Sequence, residues 1–310
     1  MVRTLQDELK NFPVQKENAF ERLQAIVNKK LQEFPTLKNR QRERISMELD
    51  VIEQTGTAGV FLFFYDCLSA LKEIGAVFHG VMNCSYLCCV LGLTKVDPFI
   101  YKLPFERYFN TERKSLPFLS IVVPKNTKEQ ALCILQARNY IVKAIDRDDE
   151  YILSAQPVGE MPASEVYRAN FYTFTLEEAQ IRKVELFTED EIYQKALERF
   201  GAHNFEGDEG YFGIKATENI FAETDGKFVY QEQFYTLCNR LLGVDNTTAD
   251  LWRKSMCKRR KSECAPIRER FEIALGKAGA GLFDYLYDRM MFAVCKAYVI
   301  GLLFLDFFGE

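Results

Sequence analysis

Six consecutive residues, Phe118-Leu119-Ser120-Ile121-Val122-Val123, hold one polar side chain, the small hydroxyl of Ser120. A strand with one face in water alternates polar and apolar residues. A run without alternation belongs to a strand covered on both faces. Such a strand needs further strands beside it and helices across it, which predicts an α/β region here. Further strands are predicted over 76–78, 140–145, 151–155 and 182–187, and a helix over 128–137. Between the third and fourth of these five strands, Asp146, Asp148, Asp149 and Glu150 read as a solvated acidic turn.

The flanks are helical. Leu23, Ile26, Val27 and Leu31 recur at helical spacing, as do Ile45, Leu49 and Ile52, with Phe12-Pro13 and Phe34-Pro35 as breaks. The apolar run 61–65 leads into a helix ending near Gly75, and 84–93 reads as a buried helix. Beyond Glu189 the pattern is mostly helical, with polar loops near 204–210 and 244–248. The expected organisation is an N-terminal helical region (1–55), an α/β domain (56–190) and a helical region (191–310).

The net charge of −4 excludes a global basic field, so binding of a polyanion has to come from local patches. The strongest is 253–261, with six basic residues in nine and no acid: Arg253, Lys254, Lys258, Arg259, Arg260 and Lys261. A solvated helix face explains such a run equally well. The nine cysteines are an odd, scattered set, and the first residues carry no signal-peptide pattern, so reduced thiols in a cytoplasm are expected. His79, Cys84 and Cys88 lack a CxxC pair, so no metal site is expected from them. The apolar run 290–308 is interrupted by Lys296 and Asp306, leaving nine uncharged residues, whereas a bilayer needs about 20. A buried helix is expected there, with no membrane span; its apolar face is also a candidate protein interface.

Several blocks in order resemble one family. These are Glu48-Leu49-Asp50-Val51-Ile52 with Val60-Phe61-Leu62 and Asp66, then Leu91-Gly92-Leu93-Thr94-Lys95-Val96-Asp97-Pro98, then the run 96–115 ending in Glu112-Arg113-Lys114-Ser115. Further on come Arg182-Lys183-Val184-Glu185-Leu186-Phe187, Glu223 to Gln233, Ala249 to Arg259, and 283–309 with Lys296. As a set they resemble the C-family replicative DNA polymerases of bacteria, the polymerase III alpha subunit, whose corresponding runs read ELxVIxxMGF, LGITxIDP, PERxSxPDIDID, KxDFLG, ETYGVxVYQEQ, ADLLRRAMGKK and NKSHAxAYA. The resemblance implies a polymerase-beta-like nucleotidyltransferase palm with helical fingers, and DNA or replication proteins as partners. By the same comparison the amino-terminal phosphoesterase domain and the clamp-binding and OB-fold modules fall outside the sequence. The thumb is reduced to a remnant at about 125–165, and the fingers are shortened.

The family's three catalytic aspartates hold two divalent ions that bridge attacking and leaving oxygens. The resemblance puts Phe118 and Ser120 at the two ligand positions after Pro117, Val122 at the third acidic position of that motif, and Glu185 at the later aspartate. Phenylalanine is no ligand and a neutral hydroxyl is a poor one. One carboxylate does not hold two dications against hydration, so an inactive relative with no cofactor is expected. The family's phosphate loop, GRGSAAGS, corresponds to 78–85. Gly80 and Ser85 are kept, while His79 stands for the arginine and Val81 for the first serine. In the family, Arg253, Lys254, Lys258 and Lys296 would lie near the triphosphate or template. The competing expectation is an active nucleotidyltransferase using Mg²⁺ on Glu185 with Asp66 or Asp148.

Overall fold

The computed structural model describes residues 4–10, 17–34, 36–78, 80–117, 119–124, 127–137, 141–144, 150–154, 167–174, 187–207 and 210–309. Their contacts divide into two compact units, one of 1–101, 108–181 and 304–310, the other of 102–107 and 182–303. Among the described residues the protein is mostly helical with few strands.

The first unit opens with helices α1 (Leu5–Lys10), α2 (Ala19–Leu31) and α3 (Asn39–Thr55); of the expected breaks, Phe12, Pro13 and Pro35 lie outside the described residues. Gly56, at φ 69°, ends α3 in the left-handed conformation that glycine adopts without a Cβ penalty. Helix α4 (Ala58–Leu71) is buried along most of its length and lies on α6 (Lys128–Ala137). The latter packs against β2 (Leu119–Pro124) and β3 (Ile141–Ala144). With β1 (Val77–Phe78), β4 (Glu150–Ser154) and β5 (Tyr167–Phe174), these strands form one sheet in the order β1-β2-β5-β4-β3. Strands β2 and β5 run parallel, and every other pair is antiparallel.

Leu119, Ile121 and Val123 are fully buried and Val122 nearly so, as the absence of alternation requires. Burying each such side chain stabilises by about 1.5–3 kcal/mol. Strands β1 to β4 lie where the sequence pattern puts them. Strand β5 is an addition: Arg168 and Asn170 interrupt its apolar run, yet Tyr167, Ala169 and Phe171 alternate with them at strand period. The strand expected over 182–187 falls almost wholly outside the described residues, with only Phe187 inside. The helix expected over 84–93 is shorter, α5 (Tyr86–Val90), preceded by a 3₁₀ turn at Val81–Cys84.

The second unit holds α7 (Glu189–Phe200), α8 (Lys215–Phe221), α9 (Gln231–Leu242), α10 (Asn246–Cys257), α11 (Lys261–Arg289) and, up to residue 303, α12 (Lys296–Gly309). Phe221, Phe234, Leu237, Met256, Phe271 and Leu282 are among the residues of its core. Helix α11 is two arms of a hairpin. Gly276 has φ 65° and ψ −150°, which no helix accommodates. Beyond it the chain folds back, so that Arg268 clasps Asp284 through Nε at 2.8 Å and Nη2 at 2.9 Å. In a straight helix residues 16 apart would lie about 24 Å apart. The arms meet at Gly279, where a Cβ would stand 2.1 Å from the Phe271 carbonyl oxygen.

The apolar run expected as one helix from 290 becomes a turn followed by α12. There Ala297, Val299 and Ile300 are buried rather than presented as an open interface; side chains from 304 onward lie outside the described set. Among the described residues no helix is long and apolar enough to cross a membrane.

Candidate functional site

Pairing of β1 with β2 sets Val77 opposite Val122 and Phe78 opposite Ile121. Beyond this pairing, Gly80 comes close to Ser120 of β2. A Cβ on Gly80 would stand 3.9 Å from Ser120 Oγ, and Gly80 itself has φ 90°, a conformation that favours glycine. The loop and the strand position that the sequence singled out separately are thus brought together. Across the sheet, the row through Ser120 continues to Asn170 of β5 and Glu150 of β4. Phe118, His79 and Glu185 lie outside the described residues, as do Asp146, Asp148 and Asp149. Asp66 sits half-buried on α4. Among the described residues no group of three His, Cys, Asp or Glu side chains is placed to hold a metal ion.

Ser85 belongs to a tightly closed cluster. Its hydroxyl donates to Glu48 Oε2 at 2.6 Å and accepts from the Cys88 amide at 3.0 Å, capping α5. The amides of Tyr86 and Leu87 donate to the same carboxylate at 2.9 and 3.0 Å. Arg44 closes it from one turn earlier on α3, with Nε 2.7 Å from Glu48 Oε1 and Nη2 donating to the Cys84 carbonyl at 2.9 Å. The Glu48 side chain is wholly buried. The first turn of α5, which needs an acceptor for its orphan amides, takes it from a carboxylate of the protein itself.

A second cluster organises the start of α9 and the start of α12. Glu232 accepts from the Lys296 amide at 2.8 Å and from the Cys295 thiol at 3.2 Å. Lys296 Nζ donates to Glu223 at 2.5 Å and lies 5.2 Å from the Tyr230 ring centroid. Gln233 accepts from the amides of Val229 and Tyr230, each at 2.9 Å, and donates to Thr224 Oγ1 at 2.8 Å. Gln231 donates to the Ala293 carbonyl at 2.8 Å. The run Tyr230-Gln231-Glu232-Gln233 and Lys296 thus engage one another and their neighbours inside the second unit, with Lys296 only 3% exposed. Burial, then the nearby Glu223 carboxylate, pushes the Tyr230 phenol far above its ordinary range.

The basic segment is split between the end of α10 and the turn that leads into α11. Arg253 turns inward and is only 7% exposed, donating to Asp250 Oδ1 through Nε at 3.1 Å and Nη2 at 2.8 Å. Its Nε also donates to the Tyr235 hydroxyl at 3.2 Å, and that hydroxyl donates to Asp250 at 2.6 Å. Lys254 reaches the other Asp250 oxygen at 2.5 Å. Burial alone would raise the fully buried Asp250; the Arg253 charge and the Lys254 and Tyr235 hydrogen bonds overcome it and hold the carboxyl well below its ordinary value. Arg259 stacks over Tyr287 at 4.3 Å and donates to the Asp288 carbonyl at 2.9 Å. Arg260 pairs with Glu263 at 3.0 Å. Lys258 and Lys261 are exposed. The patch facing solvent is therefore 258–261, and Arg253 and Lys254 serve the interior.

Two carboxylates that sequence reasoning passed over are the most heavily bonded groups in these clusters. Glu48 lies on the apolar stripe Ile45–Ile52 of α3, three residues after one isoleucine and four before the other. Asp250 follows buried Ala249 and precedes buried Arg253 and Met256 on α10. An acid in register with a buried stripe is the signal that identifies both.

Comparison with known proteins places these elements in a family. The bacterial DNA polymerase III alpha NTPase domain matches residues 17–197, and the bacterial DNA polymerase III alpha subunit finger domain matches 192–279. An error-prone DNA polymerase of Cutibacterium acnes is 33% identical over 99 residues, 31% of this chain and 9% of that protein. The DNA polymerase III subunit alpha of Halalkalibacterium halodurans gives the same identity over the same length and shares. That of Pseudomonas aeruginosa is 34% identical over 100 residues, 31% of this chain and 8% of the relative. The matched stretch spans less than a tenth of the length of each of these relatives.

Proposed function

The chain belongs to the bacterial DNA polymerase III alpha family, and on that premise we propose that it is a non-catalytic member that binds nucleic acid through its second unit. The observation that carries the first half is the residue set after Pro117. Phe118, Ser120 and Val122 stand where the family's acidic motif has aspartates. A phenyl ring and an isopropyl group supply no oxygen. Ser120 supplies a neutral hydroxyl on a strand buried on both faces. A two-ion mechanism needs hard anionic oxygens at these points. Under this reading the sheet around β2 is a polymerase-beta-like palm kept for its packing, the protein uses no Mg²⁺, and Glu185 is a remnant. Its setting is cytoplasmic, in keeping with nine free cysteines, and its partners are DNA or the replication proteins that accompany it.

The second half rests on the solvent-facing part of the basic segment. Lys258 and Lys261 are exposed and Arg260 is half in water, so phosphates reach them without unpacking the unit. Arg253, Lys254 and Lys296 already neutralise interior carboxylates. Each phosphate neutralised releases counterions and steepens the salt dependence of binding by about 0.9 for duplex or about 0.7 for single strands. The triple variant Lys258→Glu, Arg260→Glu, Lys261→Glu is expected to bind an oligonucleotide more weakly and with a salt slope shallower by roughly 2. Titration of a labelled oligonucleotide at several salt concentrations measures both. Absence of binding by the unaltered protein at low salt would contradict the proposal.

A further inference from the structure

Resting on the nucleic-acid reading above, we infer that this surface takes single-stranded nucleic acid in preference to duplex, with Phe292 as a stacking platform beside the basic turn. The C-terminal end of α10 lies against the last residues of α11. The Cys257 thiol donates to the Met290 carbonyl at 3.8 Å, and Arg259 Nη2 donates to the Asp288 carbonyl at 2.9 Å. From Met290 the chain turns outward and exposes Met291 and Phe292, which are 58% and 45% accessible. It is then drawn back where the Val294 amide donates to the Val229 carbonyl at 2.9 Å. The two apolar side chains therefore stand on a turn held at both ends.

The charge around that turn is cationic. The segments flanking it carry Lys258, Arg259, Arg260, Lys261 and Arg289, of which Arg259 pairs with Asp288 and Arg260 with Glu263. Arg289 lies over the Tyr285 ring at 4.6 Å and donates to the Glu206 carbonyl at 3.2 Å, and Arg259 is stacked on Tyr287. Both guanidinium groups are thereby held in place. Cations beside an aromatic face match a strand that offers phosphates and unpaired base faces together. A duplex offers the phosphates but hides the faces of its bases in the stack. A pocket reading base edges is not needed, so the preference is for strandedness and not for sequence.

The test compares a labelled single-stranded oligonucleotide with a blunt duplex of equal length, using the full chain at low salt. The unaltered protein is expected to bind the single strand more tightly. Phe292→Ala is expected to weaken single-strand binding about fivefold to a hundredfold, the range for loss of one stacked base, and to leave duplex binding unchanged. Phe292→Trp should restore or tighten it. Binding of both forms with Phe292→Ala without effect would overturn this inference and leave the basic-patch proposal standing. Failure of the unaltered protein to bind either form would overturn both. Because Phe292 is a surface residue, both variants should fold, and unchanged melting temperatures verify it.

Discussion

Replacing Asp250 by alanine is expected to cost the second unit about 3–5 kcal/mol, a large part of the about 5–15 kcal/mol by which a domain is stable. The carboxylate is wholly buried and takes Arg253, Lys254 and the Tyr235 hydroxyl at once. Without it the Arg253 guanidinium stays buried with no anion beside it, which is the expensive outcome. Lys254 is 28% exposed and can turn to water. Removing both partners, as in Asp250→Leu with Arg253→Met, should therefore cost less than Asp250→Ala alone. Urea unfolding measures the order of the three proteins. A single variant within 1 kcal/mol of the parent would contradict the role assigned to this pair.

The same carboxylate predicts a pH dependence. Its pKa is depressed on folding, so it contributes stability in full above its unfolded value of 3.8 and loses that contribution as the pH falls below it. The urea midpoint of the second unit should drop between about pH 4 and pH 2, and the drop should be smaller in the paired variant. Equal acid sensitivity in both would place the titrating group elsewhere.

Glu48→Ala is expected to cost the first unit a comparable about 3–5 kcal/mol, for a different reason. One side chain answers the Ser85 hydroxyl, the amides of Tyr86 and Leu87, and Arg44. Each buried donor left without an acceptor costs about 1–3 kcal/mol. Glu48→Gln keeps an acceptor oxygen while removing the charge, and should fall between the parent and alanine. Ser85→Ala removes one donor to Glu48 and the acceptor of the Cys88 amide, and should cost less than Glu48→Ala. Hydrogen exchange of the Tyr86 and Leu87 amides would localise the effect. Protection unchanged in Glu48→Ala would mean that water replaces the carboxylate there.

Much of this architecture was legible in the residues. Strand β2 could be read because the absence of alternation in 118–123 has one physical explanation, cover on both faces. The separation of α1, α2 and α3 could be read because proline removes a donor and restricts its neighbour, which argues against one continuous helix. The basic run was less legible. Six charges in nine residues read as one patch along the chain, but only Arg253 and Lys254 lie on α10, while 258–260 form the turn before α11. Arg253 thereby meets Asp250, while Lys258 and Lys261 meet water. Lys296 was visible only by resemblance. Its partner Glu223 lies 73 residues earlier, and no spacing rule connects them. Gly276 shows the same limit: a helical pattern runs on both sides of it, and only the chain's return, marked by Arg268 and Asp284, reveals two arms.

Template-directed primer extension in Mg²⁺ and in Mn²⁺ tests whether the proposed palm lacks the chemistry of its relatives. The unaltered chain is expected to extend no primer above the protein-free blank with either ion, and Glu185→Gln is expected to change nothing. Extension by the unaltered chain that Glu185→Gln abolishes would contradict the non-catalytic reading.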